Sequence, residues 1–415
     1  MSVLISGVGI AGPTLAYWLS VYGIESTLVE RAPRLRTGGY VIDFWGSGFD
    51  VAERMGLLAD IRRDGYDIKE LRLVDGRGWR VGGFKLDAFR TATRGRYVSI
   101  PRSDLAKIIY RKIEERCETI FGDSIKVIEQ GTEGVNVAFE HGPPRRFDVV
   151  IGADGLHSVV RRLTFGEEAR FERFLGLRVA AFEAAGYQPR DEDIYISYSV
   201  PGKQVGRLSM RNDRTLFLLI FNDEGESLVD PFDTKSHKDI LRSHFGNMGW
   251  ECPQIMAAME ACDEIYFDRV SQIRMDTWSQ GRVGLIGDSA FCPSFLAGQG
   301  SALAMVAAYV LAGELGKADQ TPEEALRRYE QELRAFISGK QIAAVKLAGS
   351  FAPQTRFGLF LRNQVTKAFA LPLVARWVMG STLLDSFSLP EFSVKTAPPG
   401  DLDAAGAGTG TDPLG

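Results

Sequence analysis

Three glycines near the start of the chain, Gly7, Gly9 and Gly12, fall in a G-x-G-x-x-G spacing between a short apolar run at residues 3–5 and a helix-like segment at 13–22. A second apolar run ends in an acid, Glu30, eighteen residues past Gly12. Strand, glycine turn, helix, strand and acid in this order form a dinucleotide-binding fingerprint. Gly7 permits the tight turn, Gly9 lets the backbone approach a pyrophosphate, and Gly12 allows close packing behind the turn. The helix then begins with free N–H groups at Gly9, Ile10 and Ala11, facing the phosphates with the positive end of its dipole. Glu30, with Arg31 beside it, is placed to accept the hydroxyls of an adenosine ribose. The fingerprint alone does not separate FAD from NAD.

Two further stretches carry chemistry. In "GADGLHSVVRR" (residues 152–162) an aspartate-glycine pair, Asp154-Gly155, ends an apolar strand and precedes Arg161. In "GLIGDSAFCPSFLAGQG" (residues 284–300) Asp288 closes a strand, Pro293 stiffens the next loop, and Gly298, Gly300 and Ser301 open a long apolar helix. A carboxylate at the position of Asp288 can accept charge-assisted hydrogen bonds from ribityl hydroxyls. Bare N–H groups at Gly298 and Gly300 suit a flavin edge that gains negative charge on reduction.

In order and spacing the three stretches resemble the single-component FAD-dependent aromatic monooxygenases with the para-hydroxybenzoate hydroxylase fold. The overall look is most similar to the tetracycline-inactivating flavin monooxygenases, and the resemblance covers about residues 1–350. It implies an FAD cofactor, NADPH or NADH as a transient reductant and dioxygen as co-substrate. It further implies that a flavin C4a-hydroperoxide passes one oxygen atom to an aromatic, phenolic or polycyclic small molecule, with tetracycline-like and polyketide compounds among the candidates. Arg102 in "PRSDL" resembles the family arginine at the flavin diphosphate, Asp43 a carboxylate placed near FAD, and Asp154 with Arg161 the motif serving FAD and the passing nicotinamide. After Gly300 many members continue with Asn and a Glu-Asp pair, where this chain has Ser301-Ala302 and Val306-Ala307. No catalytic side chain is assigned, because the flavin carries the chemistry. A flavin-dependent halogenase and a non-catalytic flavin-binding sensor share the fold; the halogenase tryptophan motif is missing from "GWECP", the one candidate segment.

The elements that must position these groups follow from the pattern. The expected fold is α/β: a Rossmann-like FAD-binding domain with an inserted antiparallel-sheet substrate domain and a C-terminal helix. The FAD-binding domain is assigned to residues 1–72, 99–170 and 280–345, the substrate domain to 73–98 and 171–279. Strand-like runs at 194–200, 205–210 and 215–221, separated by turn residues, make the inserted sheet. Its alternation puts Phe217 and Phe221 on one face, and these two, with Arg211 and Phe295, are the candidate substrate contacts. Residues 346–390 are read as a C-terminal helical segment and 391–415 as a mobile tail.

The bulk numbers bound the class. The chain has 415 residues, a net charge of −4 and four scattered cysteines without a C-x-x-C pair. Neither a nucleic-acid footprint nor a zinc or disulfide framework follows, and no metal is expected. A cytoplasmic setting fits the cysteine usage. The apolar run at 357–379 is interrupted by Arg362, Lys367 and Arg376 and is too broken to span a bilayer. A helix docked on the body is the expected form, with a membrane-surface helix left open. The expected partner is a small aromatic molecule, bound by a monomer or homodimer.

Overall fold

The computed structural model describes residues 1–36, 38–223, 233–351, 353–368 and 387–393. Its organising element is a six-stranded sheet in the order Ser279–Gln280, Val283–Leu285, Val149–Gly152, Ser2–Ser6, Glu25–Glu30, Glu118–Phe121. All pairs are parallel except the first. Parallel strands covered on both faces read as continuous apolar runs, and Val3, Leu4, Ile5, Val149, Val150 and Ile151 are fully buried.

Helix Ala11–Val21 packs against helix Gly300–Leu315. The second of these is apolar on every side and buried from Ala302 to Leu315, as an all-round apolar helix must be. Helix Ser47–Arg54 crosses the same helix at Gly48, where an added methyl group would stand 2.5 Å from Ala302 Cα and Cβ. Residues 387–393 return to this helix. Tyr309 Oη donates to the Pro390 carbonyl at 2.8 Å, the Phe392 and Tyr309 rings are 5.5 Å apart, and Phe387 stacks on Phe336 at 4.8 Å. Residues 391–393 are therefore held on the body, which corrects the expected start of the tail at 391. Residues 369–386 and 394–415 lie outside the described residues.

A seven-stranded sheet runs Tyr266–Ile273, Glu172–Ala185, Arg214–Asn222, Lys203–Met210, Ile194–Val200, Glu70–Val74, Arg80–Lys85. The three runs expected as a meander are its adjacent strands, in antiparallel register. One face is covered by helices Thr234–Phe245 and Cys252–Glu260. A two-stranded ribbon, Val41–Trp45 with Tyr97–Pro101, belongs to neither large sheet. Helix Arg102–Arg111 begins at once after Pro101 without a side-chain cap.

Gly48→Ala tests the helix crossing. The clash with Ala302 should cost about 1–3 kcal/mol, against a gain in helix propensity of about 1 kcal/mol. Denaturant unfolding at fixed FAD concentration should therefore show a net loss, and an unchanged or raised stability would refute the close contact.

Candidate functional site

The glycine turn joins strand Ser2–Ser6 to helix Ala11–Val21. Gly7 has φ +107°, and a methyl group there would lie 2.5 Å from the Ala153 carbonyl oxygen. One on Gly12 would lie 2.0 Å from the Gly7 carbonyl oxygen, so only glycine closes this turn. Ile10 precedes the helix without a side-chain cap, and the first turn holds no acid. The leading N–H groups thus keep their capacity to bind an anion. Glu30 reaches back to the turn: Val8 N donates to its Oε2 and Ala32 N to its Oε1, both at 2.9 Å. Each oxygen retains a further lone-pair site for a hydroxyl donor. Arg36 stands 3.7 Å from the same carboxylate, while Arg31 is exposed.

Arg102, at the start of its helix, donates its backbone N–H to the Tyr40 carbonyl at 3.0 Å. Its guanidinium lies 3.6 Å from where a Gly9 side chain would begin, so a cation hangs over the glycine turn. Burial works against that charge, but Tyr40, Asp288, Tyr266 and Cys292 around it outweigh the penalty and raise its pKa. Burial pushes Asp288 above the ordinary carboxylate range, with Arg102 opposing. Burial likewise lifts the Tyr40 phenol to about 12. Arg102 and Asp288, far apart in the chain, are thus brought into one electrostatic neighbourhood.

Asp288 opens the short helix Asp288–Phe291, and a methyl group on Gly300 would lie 3.5 Å from its Oδ1. Gly298 adopts φ +63° with open space around it. Helix Gly300–Leu315, with half-buried Ser301 in its first turn, begins without a side-chain cap or an acid there. Ser294 holds φ +109°, a conformation that side-chain-bearing residues adopt at a cost of about 1–3 kcal/mol. The loop is pinned from behind by two buried amides that sequence reasoning missed. Gln272 Nε2 donates to the Pro293 carbonyl at 2.8 Å, and Gln341 Nε2 to those of Ile273 and Phe291 at 2.7 and 3.1 Å.

Asp154 turns its carboxylate onto helix Val159–Phe165, accepting from Val159 N at 2.8 Å, Val160 N at 3.1 Å and the Ser158 hydroxyl. Burial raises its pKa against these hydrogen bonds. Gly155, half-buried at φ +82°, has open space where a side chain would stand. Arg161 is fully buried and ties the turn to helix Asp288–Phe291: it donates to the Ser289 carbonyl at 2.9 Å, the Leu156 carbonyl at 2.6 Å and Glu168 at 2.7 Å. With its side chain wholly removed from solvent, it positions backbone. His157 bridges Glu168 at 2.9 Å and Asp268 at 3.3 Å, linking the turn to strand Tyr266–Ile273.

Asp43 is exposed on the small ribbon and accepts from Tyr97 Oη and Ser99 Oγ, each at 2.6 Å. Phe295 packs edge-on against Tyr40 at 4.6 Å, and Tyr40 lies 5.3 Å from Tyr266. The two tyrosines are a missed aromatic wall; their spacing in sequence carried no signal. Phe217 and Phe221 require correction as substrate contacts. Both are fully buried on the far face of the sheet, against Phe182 and Tyr187 and against Phe245 and Phe267. Strand alternation turns Leu216 and Leu218 toward Tyr40 and Tyr266 instead. Arg211 is committed to the Asp64 and Gly65 carbonyls at 2.9 and 2.6 Å and covers the Tyr66 ring.

Comparison with known proteins gives the family and the fold. The FAD binding domain family matches residues 1–341. A flavin-dependent monooxygenase of Legionella longbeachae is 33% identical over 370 residues, covering 89% of this chain and 92% of that protein. An uncharacterised protein of Mycobacterium tuberculosis is 37% identical over 344 residues, 82% of this chain and 91% of that one. Among solved structures, tetracycline destructase Tet(55) superposes with a TM-score of 0.79 at 30% identity, over 94% of this chain and 98% of its own. HpxO of Klebsiella pneumoniae, complexed with FAD and uric acid, gives 0.74 at 21% identity over 92% and 97%, a likeness of fold. The chain belongs to the FAD binding domain family and is an FAD-dependent monooxygenase.

The His157 bridge sets a pH dependence. Hydrogen bonds donated to Asp268 and then to Glu168, against partial desolvation, lift the imidazole from 6.5 to about 10; Arg161 and Arg269 stand around Glu168. A pKa raised by folding means stabilisation that is complete below the unfolded value and fades as pH rises through the folded one. Compared with His157→Gln, the wild type should hold its full stability advantage below about pH 6.5 and lose it progressively toward about pH 10. Denaturation curves of both proteins across that range check this. A difference independent of pH would remove the charged bridge.

Proposed function

We propose that the protein uses NADPH or NADH to reduce bound FAD and inserts one oxygen atom of dioxygen into an aromatic, phenolic or polycyclic small molecule. The observation that carries this reading is the convergence of the glycine turn, Glu30, Arg102, Asp288 and the uncapped start of helix Gly300–Leu315 at one edge of the parallel sheet. This donor and acceptor set fits FAD, with an anion site, an acid for ribose hydroxyls and a second acid for the ribityl chain. When bound, FAD supplies hydride acceptance and oxygen activation.

The residues of the chain bind, orient and exclude water. Arg102 would neutralise the diphosphate above the glycine turn, Glu30 would hold the adenosine ribose, and Asp288 the ribityl hydroxyls. The N-terminus of helix Gly300–Leu315, with Gly298 and Ser301, would face developing negative charge. Tyr40, Tyr266 and Phe295 supply an apolar wall, the condition for keeping water from a reactive oxygen species. Open space at Gly39 and Gly298 suits a ring that changes position. One fingerprint leaves no second Rossmann unit for the nicotinamide cofactor, which would dock transiently near Gly155 and depart. A polycyclic substrate is favoured by the 30% identity to a tetracycline destructase across most of both chains.

Asp288→Ala should weaken FAD binding by about 1–3 kcal/mol, up to roughly a hundredfold in Kd, measured by flavin fluorescence titration of apoprotein. Full flavin occupancy at unchanged affinity would exclude the ribityl role. Glu30→Ala should weaken FAD much more than FMN, since FMN lacks the adenosine. For the reaction itself, stopped-flow reduction of bound FAD by NADPH should accelerate when a fitting phenolic polycycle is present. Without it, the NADPH consumed should appear as hydrogen peroxide. Failure of a confirmed substrate to change the reduction rate would overturn the proposed coupling.

A further inference from the structure

Helix Arg356–Ala368 is mounted inside out. An ordinary surface helix buries its apolar stripe and exposes its polar one. Here the polar residues face the protein. Arg362 Nη1 donates to Ser199 Oγ at 3.1 Å and to Gln204 Oε1 at 3.4 Å. Thr366 Oγ1 accepts the Gly83 N–H at 3.2 Å, and the helix sits so close that a methyl group on Gly82 would stand 2.9 Å from that oxygen and 3.1 Å from the Asn363 carbonyl oxygen. The outward side carries Phe357, Phe360, Leu361 and Val365, exposed by 73%, 58%, 52% and 48%. The spacing i, i+3, i+4, i+8 places all four on one face, and no residue whose burial is described in the helix is buried.

The charges carried by the helix itself all have one sign. The helix contains no Asp or Glu, and its exposed basic residues are Arg356 and Lys367. At 3.6 residues per turn these two project within about 20° of one another, along one flank of the stripe. The strand on which the helix packs, Arg80–Lys85, follows a turn that exposes Trp79 by 70%, with exposed Arg77 before it, while Arg80 after it pairs with Glu70 at 3.2 Å. No helix among the described residues is long and apolar enough to cross a membrane, so a lipid contact here would lie along the surface. An apolar face with a basic flank and nearby tryptophan is the composition that suits the boundary between headgroups and acyl chains.

We propose that this face docks the protein on an anionic lipid surface. Phe357, Phe360, Leu361 and Val365 enter the headgroup boundary, and Arg356 and Lys367 pair with lipid phosphates. Apolar contact and charge each give modest affinity, and together they give a reversible association that responds to salt and lipid charge. Docked this way, the edge of the seven-stranded sheet faces the bilayer, where lipophilic aromatic compounds concentrate; that last step alone rests on the proposed function.

Full-length, FAD-loaded protein is mixed with sucrose-filled vesicles of phosphatidylcholine alone or of equal parts phosphatidylcholine and phosphatidylglycerol, and sedimented. The wild type should pellet with the anionic vesicles, with binding lost at high salt. Phe357→Ser/Phe360→Ser should lower the partition coefficient by at least roughly tenfold at unchanged melting temperature and flavin content. Arg356→Gln/Lys367→Gln should remove the preference for anionic lipid while leaving the apolar stripe intact. Wild type that stays in the supernatant with both vesicles overturns the proposal. So does light scattering that shows a wild-type dimer made monomeric by the Phe substitutions without any vesicle binding, since the stripe then covers a second copy of the chain.

Discussion

The parallel register of four strands is the constraint on which the site depends. Ser2–Ser6 pairs with Val149–Gly152 on one side and Glu25–Glu30 on the other, and Val149–Gly152 pairs in turn with Val283–Leu285. Parallel strands all end at the same edge, so the turns after them are neighbours whatever their separation in sequence. That is why the glycine turn, Glu30, the Asp154 turn and Asp288 meet. Each follows or ends one of these four strands, and a crossover returns the chain to the opposite edge before the next begins.

Neighbouring turns still need to be held at fixed heights, and buried polar groups do this. Arg161 spans from its own helix to the Ser289 carbonyl and Glu168, while Ser289 Oγ donates to the Gly152 carbonyl at 2.6 Å. Gln272 and Gln341 hold the loop from 291 to 293 from the other side. A buried amide or guanidinium satisfied only by specific carbonyls penalises any displacement of the loop, because each lost bond leaves a desolvated group unpaired. Such residues help define where Asp288 and Gly298 stand.

The seven-stranded sheet divides its labour by face. Phe217, Phe221 and Phe182 build a core with helices Thr234–Phe245 and Cys252–Glu260, while Leu216, Leu218 and Met210 look toward Tyr40 and Tyr266. Pairing of Tyr40 with Phe295 and Tyr266 brings the aromatic wall from three segments that lie in different sheets or loops.

What the sequence by itself determined is local. The glycine fingerprint, the acid at Glu30, the aspartate at 288 and the turn-separated strands of the inserted sheet are dictated by backbone sterics, helix-terminus electrostatics and turn chemistry, which act within a few residues. The fold class followed from their order. Which face of strand Arg214–Asn222 meets the site was decided only by tertiary structure, because an alternating strand is equally compatible with either orientation. The same holds for Arg161, Gln272 and Gln341, single polar residues whose partners lie as much as 128 positions away, and for helix Arg356–Ala368, expected as a helix docked on the body with a surface helix left open, but with no indication of which face turns inward. Periodicity reports that a helix has two faces, and only the packing surface, here a strand edge offering hydrogen bonds to Arg362 and Thr366, selects which of them turns inward.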